Sequence, residues 1–164
     1  MTDGIYLLLG SNLGDRISNL KQAIKYIWSF SEIVKISSVY ETAPWGVTDQ
    51  PAFYNQVLEI KTATDPKSLL KEILKIEELI GRVRKEKWGA RIIDIDILYY
   101  GDTKFNEEDL IIPHPGIADR KFTLAPLVEL APDFMHPISG KSNKEMLALL
   151  DDQLSVKKLD AQLQ

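Results

Sequence analysis

Two periods of apolar and polar positions alternate along this chain, and the switches between them predict its elements. Residues 5–9 form a continuous apolar run stopped by Gly10, the pattern of a buried strand. Ile17, Leu20, Ile24 and Ile27 then recur at helical spacing behind Asp15, a residue suited to cap the first turn. Residues 33–40 and 53–60 are rich in β-formers and predict two paired strands, joined by a connection with Pro44, Gly46 and Pro51 that is longer than a hairpin needs. A second helix is marked by Asp65 at its cap, Pro66 in its first turn and Gly81 past its end, with Leu69, Ile73, Ile76 and Ile80 as its apolar stripe. Residues 92–99 read as a fourth strand. The order βαββαβ predicts an α+β class, a ferredoxin-like antiparallel sheet with helices packed on one face.

C-terminal additions follow: a β-like piece at 110–112, an apolar segment at 122–130, and a helix capped by Ser142 with Glu145 three residues on. After Leu150 the periodicity fades, so residues 151–164 read as a loose tail. The 164 residues suit a single domain spanning 1–164, large enough to bury a core without disulfides.

Composition narrows the chemistry. There is no cysteine and there are only two histidines, far apart, so a bound metal is expected to be a hard cation held by oxygens. The N-terminal apolar run lacks the basic flank and length of a signal peptide, and no apolar stretch is long enough to cross a bilayer; the expectation is a cytoplasmic protein with no membrane role. A formal charge of -4 argues against a surface built for nucleic acid. Against that acidic background, Arg82, Arg84, Lys85, Lys87 and Arg91 face the single acid Glu86 across ten positions, a local anion site.

Just beyond it lies Ile93-Asp94-Ile95-Asp96-Ile97. A period of two puts both carboxylates on one strand face, about 7 Å apart at their Cβ atoms, and the isoleucines on the other. The same alternation describes a half-exposed strand with a solvated face. The adjacent basic segment tips the reading toward metal-bound polyphosphate, since Mg²⁺ takes one or two protein carboxylates together with phosphates. Trp88-Gly89 within that segment combines a large ring with a hinge, suited to closing over a ligand. Phe53 and Asn55 form another i, i+2 pair, a stacking ring beside a bidentate amide, which suits a flat heterocycle; Phe53 alone reads more simply as a core residue, and Asn55 is the informative member. His114 sits between Pro113 and Pro115, where its ring is held for phosphate binding or proton transfer, or simply faces solvent. Gly10-Ser11-Asn12-Leu13-Gly14 lacks the Lys-Ser/Thr ending of a P-loop and reads as a tight strand-to-helix turn.

These residues together resemble the 6-hydroxymethyl-7,8-dihydropterin pyrophosphokinase family over nearly the whole chain. The most specific match is Gly81-Arg82-Val83-Arg84 followed by Trp88-Gly89-Ala90-Arg91-Ile92-Ile93-Asp94-Ile95-Asp96. Residues 10–15, Tyr40-Glu41-Thr42 with Pro44, Gln50-Pro51, Asn55, Pro113-His114 and Leu124-Ala125-Pro126-Leu127 agree in order and spacing. The chain departs from the common pattern at Leu74, Lys87, Ala90 and the Pro115-Gly116 pair.

The resemblance implies transfer of the β,γ-pyrophosphoryl unit of ATP to the hydroxymethyl oxygen of the pterin, releasing AMP, in folate biosynthesis. It implies that Asp94 and Asp96 hold two Mg²⁺ ions and that Arg82 and Arg91 assist the transfer. Glu77, Arg84, Trp88, His114 and Arg120 are implied on the nucleotide side. The pterin is expected between Phe53 and Phe122, read by Asn55 and by backbone near Thr42, Pro44 and Trp45. ATP and the pterin are the implied partners, with no nucleic acid and no obligatory protein partner. Two other classes use some of these features. An RNA-binding or regulatory module would not need Asp94 beside Asp96, and a metal-dependent nuclease would need a broader basic track.

Overall fold

The computed structural model describes residues 2–43, 51–81, 92–151 and 155–159. Its elements in chain order are β1 (Thr2–Ser11), α1 (Arg16–Trp28), β2 (Glu32–Ile36), β3 (Tyr40–Thr42), β4 (Phe53–Thr62), α2 (Pro66–Ile80), β5 (Asp94–Tyr100), β6 (Phe105–Glu107), β7 (Leu110–Ile112), α3 (Lys121–Leu130), α4 (Asn143–Leu149) and β8 (Val156–Lys158). The leading apolar run becomes the centre of the main sheet. β1 pairs antiparallel with β5 on one side and β4 on the other, and the order is β5-β1-β4-β3-β8 with β2 also on β4. This is the expected ferredoxin-like arrangement.

The capping residues act as the sequence predicts. Asp15 accepts from Ser18 N and Asp65 from Ser68 N, while Gly81 ends α2 at φ 102, a left-handed conformation that glycine adopts without steric cost. The Ser142–Glu145 capping box is fully formed. α1 and α2 lay Leu20, Ala23, Ile27, Leu69, Ile73 and Ile76 against Ile5, Leu7 and Leu9 of β1 and Ile95 and Ile97 of β5. Each such fully buried Leu or Ile contributes about 1.5–3 kcal/mol.

Three expectations are corrected, and one, the β-like piece at 110–112, is borne out and gains a partner. First, helices cover both sheet faces. α3 and α4 bury Leu124, Leu127, Leu130 and Met146 against Tyr6, Leu8 and Val57, the residues of alternate parity, and against Tyr99. Second, the run at 33–40 is not one strand. Ile36 lies opposite Leu58 and Tyr40 opposite Asn55, four residues against three, so the strand carries an extra residue and breaks into β2 and β3. Buried Ser37 bridges the break: its N–H donates to Val57 O at 2.9 Å, and its Oγ accepts from Val57 N at 2.9 Å. Third, part of the segment read as a loose tail is ordered: β8 extends the main sheet along β3, and Leu159 is buried. The 110–112 piece is half of a separate hairpin, β6 with β7.

Candidate active site

Ile95 and Ile97 of β5, with Ile93 just before it, enter the α1/α2 core, so Asp94 and Asp96 point to the opposite face. A bulge brings both Leu98 and Tyr99 to that second face, with Tyr6 opposite Tyr99 and Leu7 opposite Ile97. Asp94 is registered with Gly10, and Gly10 in turn with Asn55 and Asn55 with Tyr40. One row across the sheet therefore reads Asp94, Gly10, Asn55, Tyr40. Asp96 lies in the next row opposite Leu8, and Phe53 lies opposite Thr42. The i, i+2 pairs inferred from the sequence thus share one face.

Gly10 makes this row workable. A Cβ there would stand 2.7 Å from Asn55 Nδ2, so the amide keeps this pose only while position 10 has no side chain. In the space left open, the buried Asn55 amide lies over β1 and donates to Leu9 O at 3.2 Å, which fixes its plane. Phe122, at the start of α3, packs against the same side, with the Arg120 guanidinium carbon 5.7 Å from its ring centre. The hydroxyls of Thr42 and Thr123 are buried without a hydrogen-bond partner among the described residues. Buried orphan hydroxyls cost about 1–3 kcal/mol, so both are acceptor or donor capacity that a polar ligand would satisfy. Composition offered no signal for Thr123, because its role depends on helix α3 facing the sheet.

His114 follows the cis Ile112–Pro113 peptide and is held at its backbone by its own N–H donating to Leu98 O at 2.9 Å. Its Nδ1 accepts from Gly116 N at 2.9 Å, so the neutral ring carries its proton on Nε2. Burial pushes the imidazole below its ordinary value; the Asp96 charge opposes this and the Arg120 charge reinforces it. His114 therefore feels the charge of both Asp96 and Arg120. Exposed Arg120 also lies across Gly116, where a Cβ would come within 2.9 Å of its guanidinium.

Glu77 sits on the other side of β5. It is a buried α2 residue, and its Oε2 accepts from Ile95 N at 2.9 Å. Because β5 is the end strand of the sheet, this carboxylate caps a backbone donor that has no neighbouring strand. Pro44, Trp45, Arg82, Arg84, Trp88 and Arg91, all expected at the site, lie outside the described residues, as do Lys85 and Lys87. Among the described residues no group of three or more His, Cys, Asp or Glu gathers as a metal cage. Two aspartates on an open face nonetheless suit Mg²⁺, which binds through one or two carboxylates and completes its shell with phosphate and water. No helix among the described residues is long and apolar enough to cross a membrane.

The structure is thus an α+β fold whose ferredoxin-like sheet presents two strand carboxylates, a buried amide and flanking aromatic rings on one face. The match to known proteins is specific: a family model for 7,8-dihydro-6-hydroxymethylpterin-pyrophosphokinase (HPPK) covers residues 6–132, and the chain belongs to that family. The 2-amino-4-hydroxy-6-hydroxymethyldihydropteridine pyrophosphokinase of Aquifex aeolicus is 48% identical over 86% of this chain and 88% of its own length. The Bacillus subtilis protein of the same name is 42% identical over 79% of each chain. Among solved structures, the Plasmodium falciparum HPPK-DHPS wild type with STZ-DHP superposes with a TM-score of 0.73 at 20% identity, covering 90% of this chain and 43% of that one. As a family member the chain is a pyrophosphokinase acting on hydroxymethyldihydropterin.

Proposed function

We propose that the donor is ATP, that its β,γ-pyrophosphoryl unit passes intact to the pterin hydroxymethyl oxygen, and that AMP leaves. The observation that carries this reading is the row Asp94, Gly10, Asn55, with Asp96 beside it: a cation site and a heterocycle site on one sheet face. Asn55 presents a fixed amide to the polar edge of the pterin, Phe53 and Phe122 supply ring faces, and Thr42 and Thr123 have hydroxyls to offer. Asp94 and Asp96 would hold Mg²⁺, two ions by family resemblance, which when bound neutralises phosphate charge and orients the reacting oxygens. His114, whose imidazole feels the charges of Asp96 and Arg120, and Arg120 itself would donate to phosphate oxygens through a neutral Nε2–H and a guanidinium. Arg82, Arg84 and Arg91 add anion-binding charge, and Trp88 a ring, from the segment between α2 and β5. Glu77 supports the site from behind by holding β5 at Ile95, in addition to its expected place on the nucleotide side. Positioning and charge neutralisation do most of the work, since transfer of this type asks little covalent chemistry of the protein. A cytoplasmic location and action without an obligatory protein partner complete the proposal.

The test is incubation with ATP, Mg²⁺ and the hydroxymethyl pterin, with nucleotide products separated by chromatography. AMP should accumulate only when the pterin is present, and Asp94→Asn or Asp96→Asn should lower kcat about 10³-fold with unchanged thermal unfolding. ADP as product, or full Mg²⁺-dependent turnover by either variant, would overturn the assignment.

A further inference from the structure

Beyond Gly10, the turn at residues 11–15 and Arg16 behind it are left without a part in the chemistry, yet their side chains reach the stretch just before Phe53. Arg16, in the first turn of α1, donates from Nη1 to Ala52 O at 2.8 Å and from Nη2 to the Tyr54 hydroxyl at 3.3 Å. Its guanidinium carbon lies 3.9 Å from the centre of the Tyr54 ring. Asn12, 0% exposed, donates from Nδ2 to Pro51 O at 3.3 Å. Residues 51, 52 and 54 are therefore all held by the turn and Arg16, and Phe53 is the one between them.

The ladder explains why such a hold is needed. β1 and β4 pair as far as Ser11 opposite Tyr54, so on the β1 side the peptide linking Ala52 to Phe53 has no strand partner. Arg16 and Asn12 stand in for the missing ladder. Tyr54 packs into the α1/α2 core, on the face opposite Phe53 and Asn55, so its ring is a fixed post. The turn is itself rigid: Asn19 Nδ2 donates to Ser11 Oγ at 3.1 Å and Leu13 O at 2.9 Å, and Asp15 accepts from Ser18 N at 3.0 Å.

We propose that Arg16 is a positioning residue for the pterin subsite, clamping from behind the sheet the peptide that precedes Phe53 and so fixing the direction in which Phe53 and Asn55 meet the substrate. The proposal rests on the assignment of those two residues to the pterin. A planar guanidinium stacks on Tyr54 and donates to Ala52 in the same pose; the point charge of a lysine does one at a time.

Steady-state kinetics of Arg16→Ala, Arg16→Lys and Asn55→Ala test it. Arg16→Ala should raise KM for the pterin about tenfold, as expected when a reacting partner is misplaced by a fraction of an ångström. KM for ATP should stay within about twofold, and Arg16→Lys should recover part of the loss. Direct pterin titration of the folded Arg16→Lys protein carries the same test should the alanine variant not fold, with weakened pterin binding expected. An unchanged pterin KM, or equal rises for pterin and ATP, would overturn the proposal. If Asn55→Ala raises the pterin KM and Arg16→Ala does not, only the clamp is wrong. If Asn55→Ala has no effect, the subsite assignment fails and the clamp fails with it.

Discussion

At Gly10 the needs of the sheet and of the site meet at a single missing atom. A methyl group there would stand 2.7 Å from Asn55 Nδ2, so Gly10→Ala must turn the amide away from Leu9 O and from its ligand-reading pose. The expected result is a loss of about 1–3 kcal/mol in denaturant unfolding. The pterin KM should rise more than the ATP KM; a change in neither would show that the amide has room to move. His136 offers a pH test at the same scale. Its Nδ1 accepts from Ile138 N and Ser139 N at 3.2 Å each, and burial lowers its pKa. The unfolded imidazole takes its proton near about 6.5, before the folded one does, so this contribution to stability is complete above that pH and is lost as pH falls toward the folded value. His136→Asn keeps an acceptor near Nδ1 but does not titrate. Between pH 7 and pH 5 the wild-type Tm should therefore fall more steeply than that of the variant, and parallel curves would refute the assignment. Asp94, Asp96, Phe53 and Asn55 were legible as a face because strand parity is written directly in spacing. Arg16, Thr123 and the role of Gly10 were not, since each depends on a residue more than thirty positions away in the chain or on how a helix meets the sheet.

Among elements, the ones with a strong stripe and a cap were readable from the chain, and the ones made by their neighbours were not. α1 and α2 carry their own apolar periodicity and caps. β6 and β8 hold little apolar content, and they exist because β7 and β3 offer edges to pair with. The break between β2 and β3 is likewise set by register against β4, which no local pattern encodes. β8 shows that such a borrowed element has consequences. It covers the outer edge of β3, pairing Thr42 with Val156 and Tyr40 with Lys158, and Leu159 N donates to Val39 O at 2.9 Å. The same strand is tied to α3 by Glu129, which accepts from the Tyr40 hydroxyl at 2.7 Å and from Ser38 N at 3.0 Å. Ending the chain at Asp151 should uncover that edge and cost about 1–2 kcal/mol, or roughly 2–8 °C in Tm. Because β3 carries Thr42, pterin affinity should weaken while ATP affinity holds. Calorimetric titration of the truncated protein with each ligand checks this, and equal weakening of both would place the effect in global stability instead.

For the whole molecule, the sheet separates two tasks by parity. Residues of one parity bury into α1 and α2 and supply most of the core; those of the other parity form the candidate site at one end and the α3/α4 core at the other. A half-covered second face leaves room for ligands without opening the main core, so the α1/α2 side reaches the site through the polar ties of Arg16 and Glu77 rather than through its apolar packing. Ile73 is the sharpest probe: it is 1% exposed on α2 and belongs to the first core, on the sheet face opposite Asp94 and Asn55. Ile73→Ala should cost about 2–5 kcal/mol, the range for deleting a buried isoleucine side chain and leaving a cavity. At a temperature well below its lowered Tm, the KM values for pterin and ATP should match those of the wild type, because the Arg16 and Glu77 ties do not include Ile73 and the sheet keeps the register of the site. Chemical denaturation and steady-state kinetics on the same preparation decide it. A stability loss of that size with both KM values unchanged supports the division of labour. A rise in either KM at full folded population would show instead that α2 transmits its packing through β5, with the Glu77 to Ile95 hydrogen bond as the connecting link.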